Sequence, residues 1–245
     1  MSLIRYKIII EYDGSAFHGW QRQDNAFSVQ EALESALSHL NNGNPVQIFG
    51  AGRTDTGVHA IGQVAHFNLS KKYSSKEVEG AINFHLDNSK VAIVSCEAID
   101  SNFHARFDAK SRSYLYRIIN RESKICLDAN RVWWIRAPLD IDAMREAAKY
   151  LIGEHDFSSF RASGCQAKSP VKNIMEINIS NDIEIYIKAN SFLYHMVRNI
   201  VGSLVMVGRG DWKPSDIDII LRECDRTKAG PTAPAHGLYF FNVDY

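Results

Sequence analysis

Phe49-Gly50-Ala51-Gly52-Arg53-Thr54-Asp55-Thr56-Gly57-Val58-His59-Ala60 sets three glycines around a single carboxylate, with an arginine two positions before it and a histidine four after. Glycine lets the backbone turn sharply or approach a ligand closely, so the pattern reads as a loop that presents Asp55. The plain alternative is a turn in which the aspartate caps its own backbone. An ionised carboxylate held this way can attack an electrophilic carbon or take a proton. Arg53 supplies a neighbouring cation, and His59 can either touch a ligand or brace the loop. Asp55-Thr56-Gly57 also spells the Asp-Thr-Gly of proteases that share one proton between two acids. Only one copy occurs here, and Arg53 and Thr54 stand where that loop would be apolar. A guanidinium beside a carboxylate keeps it ionised and opposes proton sharing, so proteolysis is set aside.

The flanking pattern says what must hold this loop. A β-branched run over 6–12 ends at Asp13-Gly14 and predicts a strand and turn. Ser28, with Glu31 three residues on, predicts a helix start, and Val29, Ala32, Leu33, Ala36, Leu37 and Leu40 keep helical spacing. Strands are expected over 46–49 entering the loop and 62–69 leaving it, with Val64, His66 and Asn68 on the face opposite Ala65, Phe67 and Leu69. A helix over 75–85 and a strand over 91–96 complete a β-α-β-β-α-β order. The second half repeats it: strand 112–120, helix 140–152, a hairpin of 174–179 with 183–189 across Asn181-Asp182, helix 193–207 and strand 238–243. The expected fold class is therefore α+β, with two tandem ferredoxin-like halves, 1–105 and 106–245. Their antiparallel sheets are expected to join and leave a central cleft, a common place for a site. Residues 121–137 and 209–236 read as insertions in the second half.

Composition narrows the class without naming a partner. The chain has 245 residues, 45% hydrophobic and 23% charged, which fits an ordinary globular protein. No signal-peptide core and no apolar run of about 18 residues appears, so a cytoplasmic location without membrane insertion is expected. Four cysteines lack any Cys-x-x-Cys spacing, and nine histidines show no ligand spacing, so no disulfide framework and no metal are expected. Phosphate-cradling and dinucleotide motifs are absent as well, and no cofactor is expected. Formal charge is zero, with 28 basic and 28 acidic residues, yet it is unevenly spread. Residues 105–136 hold eight basic side chains (Arg106, Lys110, Arg112, Arg117, Arg121, Lys124, Arg131 and Arg136) against Asp108, Glu122 and Asp128; Arg161, Lys168 and Lys172 follow. A neutral protein with one basic face can still grip phosphates.

The string from Gly50 to Ala60 resembles the catalytic signature of the TruA family of tRNA pseudouridine synthases. Further blocks are similar, in the same order: Glu11-Tyr12-Asp13-Gly14, Gly19-Trp20-Gln21-Arg22-Gln23, Ser28-Val29-Gln30, Phe103-His104-Ala105-Arg106-Phe107, Arg112-Ser113-Tyr114-Leu115-Tyr116, Asp156-Phe157 with Ser159-Phe160-Arg161, and Phe192 with His195-Met196-Val197-Arg198-Asn199. The resemblance spans essentially the whole chain. It implies a homodimer that isomerises uridine to pseudouridine in the anticodon stem-loop of tRNA, with Asp55 as catalytic carboxylate. Extruding the target base costs a few kcal/mol, and an aromatic platform can receive it. The resemblance gives that part to Tyr114, where the residues alone favour one face of a half-buried strand; Tyr116 is read as structural.

A carboxylate closed under RNA loses water and gains phosphate neighbours, and both favour its neutral form, so a paired cation is needed. The resemblance implies Arg198 for that role. Met196, Val197, Ile200, Val201 and Leu204 make its helix apolar, and an arginine there is expected to have a partner. Arg53 and Arg112 are left for substrate, and His195 is read as a core histidine. The rival reading is a non-catalytic RNA-binding protein on the same scaffold, although Asp55, Tyr114 and Arg198 are all intact.

Overall fold

The computed structural model describes residues 3–87 and 89–245; Met1, Ser2 and Asn88 fall outside it. It is a mixed α+β protein whose contacts divide it into two units, one of residues up to Lys110 with Tyr239–Tyr245, the other Ser111–Leu238.

In the first unit β1 (Ile4–Tyr12) buries Tyr6, Ile8, Ile10 and Tyr12, the period of a strand with one face on a core. Helix α1 (Val29–Leu40) starts where Ser28 Oγ accepts the Glu31 N–H at 3.2 Å, and it buries the six apolar residues expected. The strand expected over 46–49 is only β2 (Phe49–Gly50). The Ile48 N–H donates to the Glu34 carboxylate at 3.3 Å instead of joining a ladder. Strand β3 (His59–Leu69) begins three residues earlier than expected and is buried along nearly its whole length. The expected alternation on it is real, but both faces are covered. Helix α2 (Ser75–His85) carries a full capping box, with Ser74 and Glu77 each serving the other's backbone. Strand β4 (Val91–Ile99) pairs antiparallel with β1, which pairs antiparallel with β3, and β2 lies antiparallel on β3.

In the second unit come β5 (Ser111–Asn120), β6 (Trp133–Ile135), α3 (Ile141–Lys149), β7 (Gly153–Asp156), β8 (Val171–Ile179), β9 (Glu184–Ala189), α4 (Met196–Gly208) and α5 (Asp216–Glu223). Strands β5, β9, β8 and β7 lie side by side, all antiparallel, and β6 runs parallel to β5. Helix α3 is shorter than expected, and Gly153, at φ +106°, begins a short strand that periodicity did not flag. Helix α4 starts three residues late because His195 lies in the left-handed region at φ +58°. The last strand, β10 (Leu238–Asp244), was expected in the second half; it pairs parallel with β3, Tyr239 opposite His59 and Phe240 opposite Ala60.

Candidate active site

The Asp55 loop is built outward from β3. Phe49 and Gly50 pair with His66 and Ala65, the Ala51 N–H donates to Val64 O at 2.7 Å, and Gln63 Nε2 donates to Gly52 O at 2.9 Å. Beyond Gly52 the chain leaves the ladder. Arg53 and Thr56 are exposed, Thr54 is buried and Asp55 is half-buried. The Val58 N–H donates to Asp55 O at 3.1 Å, closing a turn that Gly57 permits at φ +79°.

Residues 12–20 form the backing of this loop. Tyr12 Oη and Thr54 Oγ1 are hydrogen-bonded at 2.8 Å, and the Trp20 N–H donates to Thr54 O at 3.0 Å. Burial pushes the Tyr12 phenol well above its usual range, against the opposing effect of its bonds to Thr54 and Gln63, so it stays a neutral partner. Gly19 sits at φ +88°, and a Cβ there would lie 2.6 Å from Thr54 O. The two glycine-rich blocks of the sequence are thus two halves of one packed assembly. Thr54 is gripped from behind, with Arg53 exposed before it and Asp55 half-buried after it.

His59 is buried and stacks on Tyr239 with centroids 4.8 Å apart. Its Nδ1 accepts the Gly14 N–H at 3.0 Å, so that nitrogen carries no proton to give to Asp13 Oδ1, 3.3 Å away. Burial raises the Asp13 carboxyl, but hydrogen bonds from Ser15 and Lys90 outweigh it and hold the group below the usual carboxylate range. Beside the loop, His66 Nδ1 accepts the Ala105 N–H at 3.1 Å and stacks on Phe49. This bond ties the Phe103–Phe107 block to β3.

The other expected residues stand in the second unit. Tyr114, opposite Ile187 on β9, is half-buried and meets Phe192 edge to face at 5.0 Å. Tyr116 is wholly buried and donates to Pro234 O at 2.8 Å, a structural residue as expected. Arg112 is half-buried, with Nη1 donating to Asn190 O at 3.3 Å. Arg198, in the first turn of α4, donates from Nε to Ala233 O at 2.7 Å, and its Nη1 lies 3.3 Å from His195 Nε2. Burial and the Arg198 charge together lower His236, against a hydrogen bond with Val132. His195 is not the core residue expected. It is half-buried, caps no N–H with its side chain, and holds a backbone conformation that costs a non-glycine residue about 1–3 kcal/mol.

Sequence reasoning missed Asn199. Wholly buried, it donates to Phe160 O and accepts from Arg226 and Thr232, so it anchors α4 to two distant segments. Only its buried setting reveals this, because asparagine on a helix has no periodic signature. The structure therefore places Arg53 and Asp55 in one loop of the first unit and His59 at the start of β3 that follows it, and Arg112, Tyr114 and Arg198 on β5 and α4 of the second. Among the described residues no group of three or more His, Cys, Asp or Glu could hold a metal ion.

A profile of a family described as tRNA pseudouridine synthase matches residues 8–108 and 147–245. A protein of Paramagnetospirillum magneticum (strain ATCC 700264 / AMB-1) named tRNA pseudouridine synthase A is 50% identical over 244 residues, covering 98% of this chain and 95% of its own. Its namesake in Rhodospirillum rubrum (strain ATCC 11170) is 47% identical over 246 residues, covering 99% and 88%.

Proposed function

The chain belongs to the tRNA pseudouridine synthase family, and on that footing we propose that it isomerises uridine to pseudouridine in the anticodon stem-loop of tRNA with Asp55 as catalytic carboxylate. The observation that carries this reading is the loop itself: a half-buried acid following the buried Thr54, with Arg53 and Thr56 exposed around them, on a backbone fixed by the hydrogen-bonded pairs Tyr12–Thr54 and Gln63–Gly52. Rigid support of this kind is what a reacting group needs. The reaction breaks the bond from ribose C1′ to uracil N1, turns the base, and joins C1′ to C5, whose hydrogen leaves to water. Asp55 acts as nucleophile or base in that sequence.

Tyr114 is the platform for the extruded base, and Arg198 is the cation that keeps the carboxylate charged. Its apolar helix and the hydrogen bond from its Nε to the neutral Ala233 carbonyl support that part. Arg53, exposed on the loop, and Arg112 take substrate. His59, given a contact with RNA or a bracing part by its sequence, has the buried partners of a brace.

Two ferredoxin-like halves, 1–105 and 106–245, belong to the same proposal. The order β4-β1-β3-β2, antiparallel throughout, supports it for the first. A homodimer acting in the cytoplasm completes the reading, with tRNA as its macromolecular substrate.

The test uses unmodified tRNA carrying tritium at uracil C5. Isomerisation frees that label, whereas binding alone does not, so release separates the enzyme from a non-catalytic RNA-binding protein. The wild type is expected to release label, and Asp55→Asn to slow release by at least about 10²-fold while RNA affinity is largely kept. Release by the Asn variant at the wild-type rate would remove Asp55 from the chemistry.

A further inference from the structure

An open cavity of about 920 Å³ lies within the second unit, its wall including Arg161, Gly164, Cys165, Tyr194, His195 and Arg226. Ligand sites commonly measure about 300–1,000 Å³. No residue lining it is acidic. Arg226 is held by four neutral acceptors, the carbonyls of Ala229 and Gly230, Asn199 Oδ1 and Thr232 Oγ1. Arg161 Nη2 donates to the carbonyls of Cys165 at 2.7 Å and Ala167 at 3.1 Å. Both guanidinium charges are thus fixed in place by groups that do not cancel them. Burial raises the Cys165 thiol, but the N–H groups of Tyr194 and Ala167 and the Arg161 side chain outweigh it and lower the thiol overall, as a positive local field does.

Beside the two arginines stands an aromatic pair. Tyr194 is 44% exposed and lies against His195 with centroids 4.0 Å apart and ring planes tilted by 31°. The left-handed backbone at His195 sets this pair at the head of α4. A cationic wall next to an exposed ring matches the two parts of a nucleotide, an anionic phosphodiester and a flat base.

We propose that this cavity holds one nucleotide of the tRNA strand other than the uridine that reacts, its phosphodiester on Arg161 and its base on Tyr194. The proposal rests on the tRNA reading above. Arg226 adds charge without direct contact, since its donors are taken up inside the protein.

The salt dependence of tRNA binding tests it, measured with the full chain and unmodified tRNA. Replacing Arg161 by Gln is expected to reduce the slope of log affinity against log salt by about 0.7–0.9, the signature of one lost phosphate contact, and Arg161→Lys to keep the slope. Tyr194→Ala is expected to weaken binding about 5- to 150-fold with the slope unchanged, and Tyr194→Phe to bind like the wild type. A slope unchanged by Arg161→Gln, or equal losses in the Gln and Lys variants, would mean that Arg161 only braces its own loop, and the proposal falls. Should the Gln variant not fold, the exposed Tyr194 pair decides: full affinity in the Ala variant overturns the base contact. Tritium release by the wild type separates the two levels. Release with an unaltered slope sinks the cavity alone, while neither release nor tRNA binding sinks the tRNA reading and this site with it.

Discussion

His66 shows what burial does to one titratable residue beside the loop. Burial, with help from His104 and Arg5 and against Asp108, lowers its imidazole from 6.5 to about 4. An unfolded chain takes up the proton near 6.5, whereas the folded one waits until about 4. Between those values the unfolded state binds more protons, so this group's contribution is fully present above about 6.5 and is lost as pH falls through the window. The loss is at most about 1.4 kcal/mol per pH unit. Urea unfolding from pH 7 to pH 4 is expected to show declining stability, and His66→Gln, whose amide oxygen can still accept the Ala105 N–H, a flatter profile. Parallel profiles would assign the acid sensitivity to other groups.

Between residues and the whole fold, the decisive contact is the docking of 12–20 on 50–58. Gly19 needs both its freedom and its lack of a side chain, because φ is +88° and the nearest neighbour to an added Cβ is backbone, Thr54 O. Backbone cannot swing aside as the end of a flexible side chain can. Gly19→Ala is therefore expected to lower stability by about 1–3 kcal/mol and to reduce tritium release beyond what the lost folded fraction explains, since Thr54 adjoins Asp55. Turnover per folded molecule equal to wild type would show that the loop tolerates a shifted backing. Cap and strand-end effects at this scale explain where expected boundaries moved: a left-handed residue delays α4, and a glutamate side chain takes the N–H that would have extended β2.

At the scale of the molecule, the chain passes into its second unit after Lys110 and comes back after Leu238 to complete the first. Phe240, wholly buried opposite Ala60, abuts Gly52, where an added Cβ would lie 2.9 Å from its ring. Phe240→Ala is expected to destabilise the protein by about 3–5 kcal/mol in urea unfolding and to loosen the Asp55 loop far away in sequence. A change under about 1 kcal/mol would mean that β10 adds little to the first unit. The amino-acid order alone determined α1 and α2, the alternation of side chains along β3 and the loop around Asp55, because helical and strand periods and glycine spacing are local properties. It also determined the family, through blocks whose residues are read one by one. Only the tertiary structure decided that β10 pairs with β3, that His59 is enclosed and His195 is not, and that Asn199 joins three segments. Each of those depends on which distant surfaces meet, and pairing partners leave no period in the chain that forms them.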